Sequence, residues 1–386
     1  MDNNLRKYAT DMQWEQYVLY CEHGSYSQVA KILNKDRTNI RKNINLLKTK
    51  AAKQGYSPDH DMTHAVPDGY IAKGISTYYN ADGIVTGQWV KSASDKERNI
   101  QILIDRLEQG SLNYKPFKPT PYKDTPDENM LSLLTVTDFH LGMYSWSDET
   151  GDDWDVAIAR DVFLNSINDM ISACPRSEVG VLNQLGDFLH FDSLSAITPA
   201  SGHLLDADTR YGKLVDMSME VMTEAIKIML KRFKKVIVVQ AEGNHDMAGS
   251  VWLRKHIKHM FSEDPRVEVM DIEFPYYAML WGEIMLAFHH GHKMKMGQLQ
   301  KLFSSEPRYR AIWGAAKHSY IHTGHMHHER VVEDAGAIVE QHPTLSGRDA
   351  YAARGGWVSQ RGAKVITYHK TEGETHRFTV RPRIKT

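Results

Sequence analysis

Five short apolar runs in this chain each end in side chains that bind cations or move protons. Leu133-Leu134-Thr135-Val136-Thr137 runs into Asp138-Phe139-His140, and the stretch from Val179 to Leu185 runs into Gly186-Asp187. Val236-Ile237-Val238-Val239 leads to Glu242-Gly243-Asn244-His245-Asp246. Ile284 to Phe288 runs into His289-His290-Gly291-His292, and Tyr320-Ile321 passes through His322-Thr323 into Gly324-His325-Met326-His327. An apolar run that stops at Gly-Asp or Gly-Asn reads as a strand delivering polar groups into a loop. Carboxylate, imidazole and amide ligands suit Mn2+, Fe2+ or Zn2+. A single histidine is as readily a solvated surface group, but five strand ends with one kind of chemistry are poorly explained that way.

The ordered set Asp-x-His, Gly-Asp, Gly-Asn-His-Asp, His-Gly-His and Gly-His-x-His resembles the calcineurin-like metallophosphoesterase superfamily, over a span from Leu131 to about Glu329. The resemblance implies an α/β fold, a four-layer α/β/β/α sandwich, with two divalent metal ions. Mn2+ is the first choice, with Fe2+, Zn2+, Ni2+ or Mg2+ as alternatives. Asp138, His140 and His327 would hold one ion, Asn244, His290 and His325 the other, and Asp187 would bridge them. A metal-bridging hydroxide would attack phosphorus in line, with His245 protonating the leaving oxygen or stabilising its charge. Asp246 would fix a histidine or the loop by hydrogen bonding.

In the phosphoprotein-phosphatase branch a Gly-Asp-x-x-Asp motif supplies a second carboxylate, whereas Gly186-Asp187-Phe188-Leu189-His190 has His190 in that place. With Thr137-Asp138-Phe139-His140-Leu141-Gly142, this is similar to the DNA double-strand-break-repair exonuclease branch. That likeness implies that His190 helps position the scissile phosphate, with a supporting structural role as the alternative. His289 and His292 flank His290 closely enough to be confused with it, and His322 and His328 are read as structural or surface residues. Arg348, Arg354 and Arg361 could clamp phosphates or simply be solvated. About sixty residues follow Glu329, so the large capping region and ATPase-attachment segment of the repair nucleases have no counterpart, and a repair-type ATPase partner is not expected.

These ligands need strands and helices to hold them. Between the ligand-bearing strands, Val156 to Ala173 and Gly212 to Phe233 have helical periodicity, which implies βαβ crossovers and a site at the carboxyl ends of the strands. After Gly282 the chain is β-rich, with candidate strands at Val331-Val332, Ala337 to Val339, Val365 to Tyr368 and Phe378 to Val380.

The preceding third is organised differently. Three helices are expected from Met12 to Gly55, with Trp14, Tyr17, Val18 and Cys21 inward on the first, Val29, Ala30, Ile32 and Leu33 on the second, and Ile40, Ile44 and Leu47 on the third. The pattern resembles a helix-turn-helix unit. Eight basic residues lie between Gln28 and Gly55 against one acid, Asp36. Arg37, Arg41 and Lys42 could neutralise phosphates while Thr38, Asn39 and Asn43 reach base edges. A protein-contact module is the alternative. A hairpin follows, placed as a wing would be, with the turn Asn80-Ala81-Asp82-Gly83; Tyr78, Tyr79 and Trp89 are expected to fill a small core. A helix is expected from Ser94 to Gln109. The expected division is 1–110 for a small helix-turn-helix domain, 111–129 for a Pro-rich linker, and 130–386 for the metallophosphoesterase domain.

The 386 residues carry a net charge of −1, so any basic field is local, and 41% hydrophobic content supports a substantial core. Cys21 and Cys174, without metal-type spacing, fit a reducing compartment. Neither a signal core nor a membrane span is evident, so a cytoplasmic protein is expected, in the host cytoplasm if phage-borne. The first reading is a metal-dependent phosphodiesterase acting on DNA as a nuclease, with homo-oligomer formation open. The second is a phosphatase or cyclic-nucleotide phosphodiesterase with an N-terminal oligomerisation domain, and the third a non-catalytic DNA-binding scaffold.

Overall fold

A computed structural model describes residues 2–58, 62, 66, 70–79, 85–94, 115–199 and 201–382. The chain divides into two compact units, Met1–Asp105 and Arg106–Thr386.

In the first unit a short 3-10 helix, Asn3–Tyr8, precedes α1 (Asp11–His23), α2 (Tyr26–Ile32) and α3 (Arg37–Lys53). The boundaries follow from local chemistry. Thr10 and Gln13 form a reciprocal capping box at the start of α1, and Gly24 ends it in the left-handed region at φ 64°. Asp36 caps α3 by accepting from the backbone N–H groups of Thr38 and Asn39. Val29, Ala30, Ile40, Ile44, Leu47 and Ala51 form the core with Leu5, Tyr8, Tyr17 and Tyr56.

Two inward assignments differ from expectation. Cys21 and Ile32 are exposed, whereas Gln16 is buried and accepts a 3.1 Å bond from the Asn43 amide. That bond uses one N–H of the half-buried Asn43 amide.

β1 (Tyr70–Tyr79) and β2 (Val85–Ser94) pair antiparallel, as the alternation predicts. Tyr78 and Trp89 do not fill a core: they are 63% and 66% exposed, because a two-stranded ribbon has two faces to cover. The turn at 80–83 and the helix expected after Ser94 lie outside the described residues.

The second unit begins for description at residue 115. Residues 115–126 have no regular structure, and the Phe117 N–H donates to the Met260 carbonyl at 2.8 Å. The elements then run β3 (Asp127–Val136), α4 (Ser147–Thr150), α5 (Val156–Ala173), β4 (Ser177–Gln184), α6 (Tyr211–Leu230), β5 (Lys235–Gln240) and α7 (Met247–Met260). They continue with β6 (Val267–Val269), β7 (Tyr277–Trp281), β8 (Ile284–Phe288), α8 (Met296–Ser305), α9 (Arg310–Ala315), β9 (His318–Thr323), β10 (Arg330–Asp334) and β11 (Ala337–Gln341). The last are α10 (Ala350–Arg354), β12 (Ala363–His369) and β13 (Gly373–Val380).

Six strands form one sheet in the order β13-β12-β3-β4-β5-β6, and five form another in the order β10-β11-β9-β8-β7. β3 to β6 are parallel, as are β8, β9 and β11; β12 runs antiparallel to both its neighbours, β13 and β3, and β7 and β10 run antiparallel at the edges of the five-stranded sheet. Leu131, Leu133, Val181, Ile237 and Val239 from the first sheet pack on Leu286, Phe288 and Tyr320 from the second. Side chains alternate along a strand, so the opposite face of each sheet needs its own cover. Leu299, Phe303 and Tyr309 from α8 and the turn before α9 cover Met285, Ala287, Ile321 and Val339. Helices α5, α6 and α7 pack on the six-stranded sheet. The result is the expected α/β/β/α layering. Among the described residues no helix is long and apolar enough to cross a membrane.

Candidate metal centre

The carboxyl ends of β3, β4, β5, β8 and β9 all deliver side chains to one place, as strand-helix alternation requires of an open parallel sheet. The first two loops extend the sheet ladder beyond the strands: the Asp138 and His140 N–H groups donate to the Gly186 and Asp187 carbonyls at 3.2 and 3.0 Å. Of the seven non-glycine residues with positive φ among those described, five are Asp138, His140, Asp187, His325 and His327. Such backbone costs about 1–3 kcal/mol per residue and persists where the surroundings enforce it. Strain here is concentrated on the predicted ligands.

Two triads of ligand atoms result, each with its atoms within 4.8 Å of one another: Asp138, His140 and His327, and Asp187, His290 and His325. The Asp138 Oδ2 accepts from the Thr137 hydroxyl at 2.7 Å and the His325 N–H at 2.9 Å, while Oδ1 lies 3.1 Å from His327 Nε2. Asp187 Oδ1 accepts from the His245 N–H at 2.9 Å, and Oδ2 lies 3.2 Å from His290 Nε2. His290 donates from Nδ1 to the Leu185 carbonyl at 2.8 Å, which leaves Nε2 directed at the carboxylates. His289 instead stacks on Tyr276 and bonds the Pro275 carbonyl. His292 has its ring 5.4 Å from that of His290.

Asp138 Oδ1, Asn244 Oδ1 and His290 Nε2 are buried without a well-formed hydrogen bond; Asp138 Oδ1 and His290 Nε2 meet only ion-pair partners, at 3.1 and 3.2 Å. Buried polar groups without well-formed bonds are costly, so a carboxylate oxygen, an amide oxygen and an imidazole nitrogen at the ends of β3, β5 and β8 fit a cation. The electrostatics agree. Burial opposes charge on Asp138 and Asp187, yet the neighbouring histidines hold both carboxyls below the usual range. Burial likewise opposes charge on His290, but Asp187 and Asp138 push it up to about 10, whereas burial pulls His140 down to about 3. The carboxylates draw positive charge into the cluster, and either a proton or a metal ion supplies it.

His190 and His245 lie against this cluster, His140, His190 and His245 forming a further group of ligand atoms within 4.8 Å. His190 Nδ1 is 3.3 Å from His140 Nδ1, and burial holds the His190 ring well below its ordinary pKa. Its carbonyl accepts from His245 Nδ1 at 2.7 Å, and the two rings stack at 5.6 Å. Asp246 is fully buried and ties two loops together, accepting from the N–H groups of Phe188, Leu189 and Gly243 at 2.7, 3.2 and 2.8 Å. Burial, then Asp187, push its carboxyl up to about 7.

Two contributors have no signal in the sequence. Asp192 accepts from the Ala248 and Gly249 N–H groups at the start of α7, and the Thr344 hydroxyl donates to the Asp138 carbonyl. Both act across folds of the chain that only tertiary contacts reveal.

The three arginines considered for phosphate binding are engaged elsewhere. Arg348 donates to the Thr150 carbonyl, Arg361 to the Leu345 carbonyl, and Arg354 to Glu149. His328 is exposed and bonds the Met326 carbonyl. His322 and His342 are bonded at 2.9 Å and group with Glu340, but that carboxylate already takes Lys364 and Arg377 at 2.7 and 2.6 Å. A metal there would have to displace two cations. In the first unit, Arg37, Thr38, Asn39, Arg41 and Lys42 are all exposed along the first turns of α3.

No family model matches the chain, and no curated protein matches its sequence. Solved structures do. An archaeal phosphodiesterase is 11% identical, the match covering 65% of this chain and 99% of that one, with a TM-score of 0.33. The E. coli phosphoesterase YfcE is 15% identical over 65% of this chain and 100% of its own, at a TM-score of 0.31. Vps29 from Entamoeba histolytica in complex with zinc is 12% identical over 64% of this chain and 98% of its own, at 0.25. Likeness this remote says nothing of what this chain does.

Proposed function

We propose that this chain is a two-metal phosphodiesterase that cleaves DNA. The observation that carries the phosphoesterase reading is the pair of adjoining ligand triads, Asp138 with His140 and His327 and Asp187 with His290 and His325, with His290 Nε2 3.9 Å from Asp138 Oδ1 between them. Asp138, His140 and His327 would hold one divalent cation, and Asn244, His290 and His325 a second, with Asp187 between them. Mn2+ suits this mixed oxygen and nitrogen set. Such a pair, when bound, supplies an acidified water and charge neutralisation at a phosphoryl group.

The chain's own residues do the rest. The Asp187 carboxylate is fixed by the His245 N–H, so the bridging position and the adjacent histidine are set together. A protonated His245 donates Nδ1–H to the His190 carbonyl and keeps Nε2–H for the oxygen that leaves phosphorus. His190 thus acts on the reaction through its backbone, while its ring lies against His140. Asp246 holds the loops carrying Asp187 and Asn244 at their mutual distance.

DNA as the substrate is favoured by the exposed residues Arg37, Arg41 and Lys42 on α3, in a unit whose eight basic residues between Gln28 and Gly55 face one acid. Helix N-termini with flanking cations suit a phosphate backbone.

The test is incubation with Mn2+ and end-labelled single- and double-stranded DNA, with EDTA and His245→Ala as controls. Metal-dependent cleavage abolished by EDTA and reduced about 100-fold or more by His245→Ala is expected. Intact DNA alongside hydrolysis of bis-p-nitrophenyl phosphate would replace the nuclease reading by the small-substrate one.

A further inference from the structure

The cavity containing Asp187, Asn244, His245 and His325 has a volume of about 930 Å3 and is lined also by Tyr351, Trp357, Val358 and Leu204. Those four residues are large and apolar yet 56–89% exposed. Tyr351 and Trp357 meet edge to face, with ring centroids 5.2 Å apart at 65°. The turn that carries them is built for this: Asp349 caps α10 through the Ala352 N–H, and the Trp357 N–H returns to the Ala352 carbonyl at 3.0 Å. A Cβ at Gly355 would stand 3.1 Å from the indole, so a glycine there lets the ring lie against the backbone.

Charge is deployed differently. Among the described residues lining the cavity, the only lysines or arginines are Arg348 and Arg361. Arg348 is committed to the Thr150 carbonyl, and Arg361 to the Leu345 carbonyl and the Trp154 face, 4.8 Å from its guanidinium. Asp349 adds a negative charge to the same wall. This part of the cavity is therefore a poor seat for another phosphate and a good one for a flat, polarisable, uncharged group.

We infer that Trp357, with Tyr351, stacks an unpaired nucleobase next to the phosphodiester held at the metal centre, so that the enzyme takes single strands or frayed ends in preference to intact duplex. The inference rests on the phosphodiesterase reading above. Paired bases keep their faces buried in the helix stack, whereas an unpaired base offers its face to an aromatic ring, and such stacking tolerates any base sequence.

Binding is measured apart from cleavage, using the full chain with Ca2+ in place of Mn2+. The probes are a labelled single-stranded thymidine tetranucleotide and the same tetramer with tetrahydrofuran residues lacking bases. Neither forms the duplex groove that the N-terminal helices would occupy. Wild-type protein is expected to prefer the base-bearing tetramer about tenfold or more, Trp357→Ala to lose that preference with unchanged affinity for the abasic one, and Trp357→Phe to recover most of it. Trp357 is half-exposed, so these changes leave the core intact. No preference in the wild type, or an unchanged preference in Trp357→Ala, overturns the inference. Mn2+-dependent hydrolysis of bis-p-nitrophenyl phosphate tests the phosphodiesterase reading independently: its absence sinks that reading, while the binding ratio still decides the stacking.

Discussion

Replacing Gly243 by alanine tests whether the loop after β5 is fitted to the Asp187 carboxylate. A Cβ at this position would stand 1.9 Å from Asp187 Oδ1 and 2.3 Å from the Asp187 nitrogen, where ordinary contact begins near 3.4 Å. Either Asp187 or the loop must give way by about 1.5 Å. The obstacle is partly backbone, and Asp187 is buried and held by the His245 N–H, so rotation of one side chain does not relieve it. Overpacking of this kind costs about 1–3 kcal/mol. Displacement of a catalytic group by about 1 Å lowers turnover about 100-fold, and disturbance of a metal-holding residue weakens metal binding about 10- to 100-fold. Gly314 in α9 serves as the control, because a Cβ there meets nothing within 4 Å. Gly314→Ala should stabilise by about 0.5–1 kcal/mol. The assays are urea unfolding with and without EDTA, calorimetric titration with Mn2+, and hydrolysis of bis-p-nitrophenyl phosphate. A Gly243→Ala protein with wild-type Mn2+ affinity and turnover would refute the assignment of Asp187 as the residue between the two cations.

Asp246→Ala should destabilise the metal-free protein by about 3 kcal/mol or more, since three buried N–H groups lose their acceptor at about 1–3 kcal/mol each; a urea midpoint within error of wild type would show that water replaces the carboxylate. His256 lies outside the cluster on α7, where burial pulls it down to about 4. Its folded pKa is below the ordinary 6.5, so the unfolded chain binds the extra proton and stability falls as pH drops from about 6.5 through 4, by about 3 kcal/mol. His256→Gln should flatten that acid loss in metal-free unfolding curves, and parallel curves for the two proteins would contradict the burial argument. Arg37→Ala and Arg41→Ala should each weaken DNA binding without regard to sequence and lower the slope of log affinity against log salt by about 1; an unchanged slope would remove α3 from the DNA contact.

The sequence by itself determined which strands end in carboxylate, amide and imidazole side chains and where the helices between them lie. A buried parallel strand is a short apolar run and its carboxyl end opens onto the site, so Asp138, Asp187, Asn244, His290 and His325 stand at readable positions. The helix of residues 156–173 and the strand of 284–288 occupy the span that periodicity predicts, because burial on one or both faces leaves its pattern in the residues. Tertiary structure alone decided which way each side chain turns. Among His289, His290 and His292, only the Leu185 carbonyl, 105 residues away, fixes His290 with Nε2 toward the carboxylates. The same holds for His190, whose carbonyl rather than its ring meets His245, and for Asp246, whose three partners include two N–H groups 57 and 58 residues away. Of the arginines that looked able to hold phosphate, Arg348 and Arg361 are bound to carbonyls as many as 198 residues distant and Arg354 to the Glu149 carboxylate, and the aromatic residues left exposed beside the cluster show no distinguishing pattern along the chain. Periodicity records whether a position faces the core; the partner of a particular polar atom depends on contacts between segments remote in sequence, which only the folded chain brings together.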